Sequence, residues 1–265
     1  MDRIKKNLFA EDIYLTKENS RCLLDKLSLN TKLYFVIKYL QILFRNRKVA
    51  KKGQYNRANW ALSSYKVIKL IEDCGGQFEI EGINNLKSIK EPVVIVSNHM
   101  SAMESMIFPA LIAPFMEVTF VVKESLARHF LFGVIMRARN PITVGRTNSR
   151  EDLISVLNQG KEFLKNNTSV VIFPQGGRRD IFKPEEFNSL GVKLASMAGV
   201  KIFPIALKTD FWGNGKIMKD FGKINRKNKI HIKFGEPISI EGSGKEQQKK
   251  IIDFISENLE TWNKE

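Results

Sequence analysis

Cysteine is nearly missing from this chain: Cys22 and Cys74 are its only two, and they form no C-x-x-C pair. That scarcity excludes a disulfide scaffold and a cysteine-built zinc site, and it suits a reducing compartment. Long apolar runs are missing as well. The longest, residues 33–44 and 105–116, fall short of the ~20 residues a spanning helix requires, so no spanning helix is expected. The first residues, MDRIKKNLFAEDIYL, are basic but never reach the apolar stretch of a signal peptide. A Gly-x-Ser-x-Gly elbow is absent, which weighs against a serine hydrolase. No run of His, Cys and acidic residues has metal-ligand spacing, and no metal is expected.

What the chain has in excess is positive charge. Its 265 residues carry 43 Lys and Arg against 28 Asp and Glu, a net charge of +15. Such an excess implies an anionic partner: nucleic acid, an anionic membrane face or a phosphorylated substrate. A nucleic-acid binder would interleave its basic residues with exposed aromatics or carry a known module. Neither is seen, so no nucleic acid is expected.

Residues 1–75 read as a helical accessory segment. The apolar stretch 33–44 is followed at once by Arg45, Arg47, Lys48, Lys51 and Lys52. That is either a helix lying on an anionic bilayer or a core helix with a solvated basic exit. After Cys74-Gly75-Gly76 the texture changes. QFEIEG (77–82) alternates like a half-buried strand, and PVVIVS (92–97) is a β-branched run like a fully buried one. Further strands are read at 118–122, 169–173, 200–207 and 229–234, with Pro204 at a bend or bulge. Helices are read from Ser149, where Ser149 and Asp152 have capping-box spacing, near 188–198, and over 245–262. The expected fold is therefore α/β: a mixed, largely parallel sheet over residues 76–265, covered by helices on both faces, behind the N-terminal segment 1–75.

Only three histidines exist, at 99, 129 and 231. His129 lies in a basic stretch and His231 within a strand. His99 stands at a strand-to-helix junction, where the sites of open α/β sheets gather. Glu104 follows five residues later, too far round an ideal helix to share a face with it. The two can meet if His99 lies in the loop and Glu104 in the first helical turn. Ser101-Ala-Met-Glu104 has capping-box spacing, so Glu104 either caps the helix or holds the imidazole as a base. A second segment, Phe173-Pro-Gln-Gly-Gly-Arg178-Arg179, ends a buried strand. Gly176 and Gly177 allow a tight turn, and Arg178 supplies charge, which suits a phosphate. A third, Asn140-Pro-Ile-Thr-Val-Gly-Arg146, also ends in Gly and a cation, and Lys123 follows the strand at 118–122. The apolar run 105–116 either lines an acyl tunnel or is core.

The order Asn-His-x4-acid, Gly-Arg, Phe-Pro-x-Gly-x-Arg and a Pro-containing strand resembles the lysophospholipid acyltransferase family over roughly residues 76–240. The resemblance implies a membrane-associated O-acyltransferase on the cytoplasmic face, with an anionic membrane surface as partner. It implies transfer of a fatty-acyl group from acyl-CoA or acyl-carrier protein to a lysophospholipid acceptor, lysophosphatidic acid, giving phosphatidic acid with no cofactor. Glycerol-3-phosphate or another lysolipid as acceptor, or a non-catalytic lipid-binding relative, are the rival readings. His99 would take the hydroxyl proton and Glu104 would orient it, without a covalent acyl-enzyme. Arg146 and Arg178 would bind the acceptor phosphate, Gly176 and Gly177 would shape the loop, and Lys123 would add a further contact. Three positions depart from the family pattern: Glu104 replaces the usual Asp, Gln175 the usual Glu, and Gly177 the usual Thr.

Overall fold

The computed structural model describes residues 1–29, 31–215 and 222–265. Its strands are β1 (Tyr14–Leu15), β2 (Phe78–Glu81), β3 (Val94–Ser97), β4 (Glu117–Lys123), β5 (Ile142–Val144), β6 (Thr168–Ile172), β7 (Ile202–Lys208) and β8 (Ile230–Phe234). Its helices are α1 (Asp2–Leu8), α2 (Leu23–Leu27), α3 (Leu33–Lys51), α4 (Arg57–Asp73), α5 (Ile83–Ser88), α6 (Met103–Ile112), α7 (Glu124–Arg128), α8 (Gly133–Arg137), α9 (Ser149–Lys165), α10 (Leu190–Ala198) and α11 (Lys245–Trp262).

One sheet of eight strands runs in the order β1-β2-β8-β7-β3-β6-β4-β5. Only β1–β2 and β7–β8 pair antiparallel; the other neighbours are parallel. Every residue of β3 is buried. Because successive strand side chains point to opposite faces, both faces are covered there, as an α/β fold requires. Helix α10 covers the face of Val94 and Val96, and the fit is close: a Cβ on Gly191 would stand 2.4 Å from Val96.

Residues 1–75 are not wholly helical, because β1 adds a short antiparallel edge to the sheet. Helix α3 resolves its two alternatives by using two faces. Phe35, Tyr39 and Leu43 are buried, and Trp212 stacks edge-on against the first two rings at 4.7 and 5.5 Å. Leu33, Ile37 and Phe44 lie on the other side and are 61, 46 and 55% exposed. Leu23, Leu24, Leu27 and Leu29 are exposed beside them in sequence. Among the described residues no helix is long and apolar enough to cross a membrane.

The capping box expected of Ser149 and Asp152 is corrected, and the expected irregularity at Pro204 is found. Asn148, not Ser149, caps α9, accepting the N–H groups of Arg150 and Glu151. Asp152 instead accepts the N–H groups of Gly145 and Arg146, at 2.9 and 2.7 Å. Pro204 sits in register opposite Val96 in the central strand β7, and a bulge lies beside it as expected: Ile205 pairs with Phe234 but Ile202 with Ile238, so the chain after β8 holds one extra residue there. Its carbonyl accepts from Gly235, just past the last β7–β8 pair, Ile205–Phe234. A residue's N–H and C=O point to the same side of a strand. The missing N–H of Pro204 therefore faces the bulge, between the Ile205–Phe234 and Ile202–Ile238 pairs, where the regular ladder is interrupted.

Candidate active site

Strand β3 lies between β7 and β6, where chain connections diverge to the two sides of the sheet, and its carboxyl end is the natural place for a site. His99 follows β3 by two residues. Asn98 fixes that exit: its side chain accepts the N–H of Leu207 and donates to the Leu207 carbonyl, at 3.0 and 2.7 Å. The chain then turns into α6, whose first turn carries Glu104.

Nδ1 of His99 is 3.0 Å from Oε2 of Glu104. The Glu104 carboxylate has no exposed surface, while the imidazole side chain is 14% exposed. Burying a carboxylate is costly unless its lone pairs are filled. Glu104 meets that requirement by accepting the N–H of Ser101 at 2.8 Å, the N–H of Met100 at 3.3 Å and the hydroxyl of Thr209. Ser101 is not the N-cap itself, since α6 begins at Met103 after Ala102; its hydroxyl accepts the Met103 N–H at 3.1 Å. Capping and holding the imidazole, the two alternatives of the sequence, are thus done by one carboxylate. The N–H groups entering α6 are consequently occupied, and those of Met100, Ser101 and Met103 are not free to face an oxyanion.

The turn after β6 closes over the imidazole. The Phe173 ring stacks on the imidazole with centroids 4.2 Å apart. Gln175 Oε1 accepts the His99 N–H, and the Arg179 N–H donates to the His99 carbonyl, both at 2.8 Å. Gly176 takes a positive φ of 66°, which a side chain would resist. A Cβ on Gly177 would stand 3.5 Å from Arg179 and 4.0 Å from Arg146, so the end of β5 and the end of β6 deliver cations to one turn. Arg178 Nη1 lies 3.5 Å from Asn214 Oδ1, whose amide donates to the Met100 carbonyl. Arg146 has φ 62°, a left-handed conformation held by the Asp152 contacts.

A cavity of about 570 Å³ opens beside His99. Lys123, Arg146 and Gly176 line it, together with apolar side chains of α3, α4, β4 and α8 that include Leu43, Val67, Phe120 and Ile135. The run 105–116 contributes only Ser105 and Met106; Ile107, Phe108, Leu111 and Ile112 are fully buried core. Part of the wall comes from α3 and α4 of the N-terminal segment, which no local pattern around His99 announces.

His129 accepts the Leu131 N–H, away from this site. His231 lies between Glu79 and Glu265, each 3.6 Å from a ring nitrogen. These three residues have metal-ligand chemistry. The Lys229 ammonium already stands 3.9 Å from Glu79 and 3.4 Å from Glu265, where it neutralises the carboxylates.

An α/β domain of this topology has known counterparts. The Acyltransferase family model matches residues 77–208. A 1-acyl-sn-glycerol-3-phosphate acyltransferase of Pseudomonas aeruginosa is 26% identical over 204 residues, covering 77% of this chain and 73% of the relative. The chloroplastic 1-acyl-sn-glycerol-3-phosphate acyltransferase LPAT1 of Arabidopsis thaliana is 30% identical over 142 residues, covering 54% of this chain and 38% of its own length. The crystal structure of the 1-acyl-sn-glycerophosphate (LPA) acyltransferase PlsC from Thermotoga maritima superposes with a TM-score of 0.64 at 20% identity, covering 90% of this chain and 98% of that one. That last likeness establishes the fold. The protein is an O-acyltransferase by class, and the chain belongs to the acyltransferase family.

Proposed function

We propose that this acyltransferase moves a fatty-acyl group from a thioester, acyl-CoA or acyl-carrier protein, onto the free hydroxyl of lysophosphatidic acid. The product is phosphatidic acid. The observation that carries this reading is the His99–Glu104 pair, 3.0 Å apart, at the mouth of an apolar cavity with Lys123 and Arg146 at its rim. The names of the relatives support the acceptor.

With Nδ1 bonded to Glu104, Nε2 faces the acceptor. It takes the hydroxyl proton as the oxygen attacks the thioester carbonyl, and Glu104 stabilises the imidazolium as it forms. Collapse of the tetrahedral adduct breaks the C–S bond. The imidazolium returns its proton to the leaving thiolate, so ester and thiol are the products and no acyl-enzyme forms. Arg146, Arg178 and the Gly176–Gly177 turn bind the acceptor phosphate, with Lys123 as a further contact. The 570 Å³ cavity takes the acyl chain. The donor is a substrate and no cofactor enters this reading.

The exposed apolar side of α3, with Arg45, Arg47, Lys48, Lys51 and Lys52 at its end, supports a position on the anionic cytoplasmic face of a membrane, where both lipids reside. The test is product formation by purified protein from lysophosphatidic acid, glycerol-3-phosphate and other lysolipids with each donor. Removal of a general base costs on the order of 10²–10⁴ in rate. Near-parental turnover by a folded His99→Ala variant would sink the mechanism.

A further inference from the structure

The same turn that presents Gly176, Gly177 and Arg178 also grips His99 at three points. Phe173 covers the ring, Gln175 takes the backbone N–H, and Arg179 supplies an N–H to the backbone carbonyl. Gln175 is the one side chain among these contacts that bonds the His99 backbone. It is 7% exposed, although Gly176 and Arg179 beside it are exposed. A polar side chain that is buried needs a hydrogen-bond partner, and among the described residues the His99 N–H is the one Gln175 has. An N–H needs an oxygen to accept it, so the orientation of the Gln175 amide is fixed by chemistry.

We infer that Gln175 is a positioning residue that couples the phosphate-binding turn to the general base; this rests on His99 acting as proposed above. If the turn moves to close on an acceptor phosphate, the His99 backbone moves with it. Occupancy of the phosphate site is then expressed in the rate of proton transfer as well as in binding. A neutral amide makes this link without adding a second anion beside Glu104. A glutamate at 175 would accept the same N–H but would place its charge against the imidazole. Glu104 from α6 bonds the ring; the other charged groups of the cavity it faces are Lys123 at the end of β4, Arg139 after α8, Arg146 after β5, Asp152 from α9 and Lys193 from α10, with Arg178 and Arg179 on the turn itself.

The test compares Gln175→Ala, Gln175→Glu and His99→Ala in the full chain, with kcat and KM followed against pH and thermal unfolding measured alongside. Gln175→Ala is expected to lower kcat about tenfold, the kinetic worth of one hydrogen bond, with acceptor KM changed less than about threefold and the acid limb of the pH profile in place. Gln175→Glu keeps the acceptor atom, so its plateau kcat should stay within about threefold of the parent. Its added anion favours the protonated ring, so its acid limb should move up by about one pH unit. Parental kcat in a folded Gln175→Ala protein, or a Gln175→Glu profile superposing on the parent, overturns the coupling. Should the alanine variant fail to fold, the glutamate variant alone decides. Activity surviving in His99→Ala would instead remove the general-base reading itself, so the two failures are distinguishable.

Discussion

The hydroxyl of Thr209, at the end of β7, donates to the buried carboxylate of Glu104 on α6, 105 residues earlier in the chain. The bond fills a lone pair that the Met100 and Ser101 N–H groups and the imidazole leave over, and it lets a fully buried charge persist beside the imidazole. Replacing Thr209 by Val keeps the shape and removes the donor. A hydrogen bond to a charged group is worth about 1.5–3 kcal/mol. A stability loss of that size is expected in urea unfolding, and an unchanged midpoint would show the bond to be idle.

Glu104→Gln retains the size of the side chain but gives up the charge that stabilises an imidazolium. One amide nitrogen must also face groups that now donate: Nδ1–H, the Ser101 N–H or the Thr209 hydroxyl. Acyl transfer is expected to fall by about 10² or more, with lipid binding retained. Rates measured with labelled thioester donor, and vesicle co-sedimentation in parallel, separate the two effects.

Val67, from α4, is 4% exposed and lines the cavity beside His99. Enlarging it to Trp takes space from the end of a long acyl chain while leaving the mouth intact. Each methylene shut out of an apolar site forfeits about 0.8 kcal/mol. Preference in kcat/KM should shift about tenfold towards donors shorter by roughly two carbons. A donor series of increasing length reads this directly, and an unshifted profile would place the acyl chain elsewhere.

Ile37→Glu puts a charge on the exposed apolar side of α3 without touching Phe35, Tyr39 or Leu43 on the buried one. An amphipathic face loses both its apolar contact and its attraction to anionic lipid by this change. Binding to vesicles containing anionic phospholipid should weaken at least tenfold, with thermal unfolding unchanged. Equal binding by the two proteins would remove this face from the membrane contact.

His231 is buried, stacked on Trp262, and its Nδ1 has no hydrogen-bond partner. Burial lowers its pKa, the lysines at 229 and 208 add to that, and Glu265 and Glu81 oppose it. Below the unfolded value of about 6.5 the unfolded chain takes up a proton that the folded protein resists. Stability is therefore unaffected by this residue above that pH. It declines as pH falls below it, and the loss levels off once the folded histidine also titrates. His231→Phe keeps the stacking and removes the proton, so its unfolding free energy should lose this part of the slope. Parallel parent and variant curves across this range would contradict the burial effect.

Several features were readable because they are encoded locally. Strands β2, β3, β6 and β8 follow from alternation or β-branched runs. The meeting of His99 with Glu104 follows from a five-residue spacing across a loop-to-helix junction. The Gly-Arg ends of the β5 and β6 segments marked the cations that the fold brings to one turn. The contacts of Gln175 with His99 and of Thr209 with Glu104 were not readable, since they span 76 and 105 residues. Nothing near either residue specifies that β7, β3 and β6 are neighbours.

The amino-acid order alone determined the α/β class and marked His99, Glu104 and the cationic segments as candidates, because each rests on periodicity or short spacing within a single connection; that Glu104 both caps and holds the imidazole was decided by the structure. Which face of α3 is core was decided only when Trp212 arrived from beyond β7 to cover Phe35 and Tyr39. The assignment of 107–112 to core and of α3, α4, β4 and α8 to the cavity wall was settled in the same way. An apolar side chain carries the same free energy of burial wherever it is buried, so only the packing of distant elements chooses between a core and a cavity.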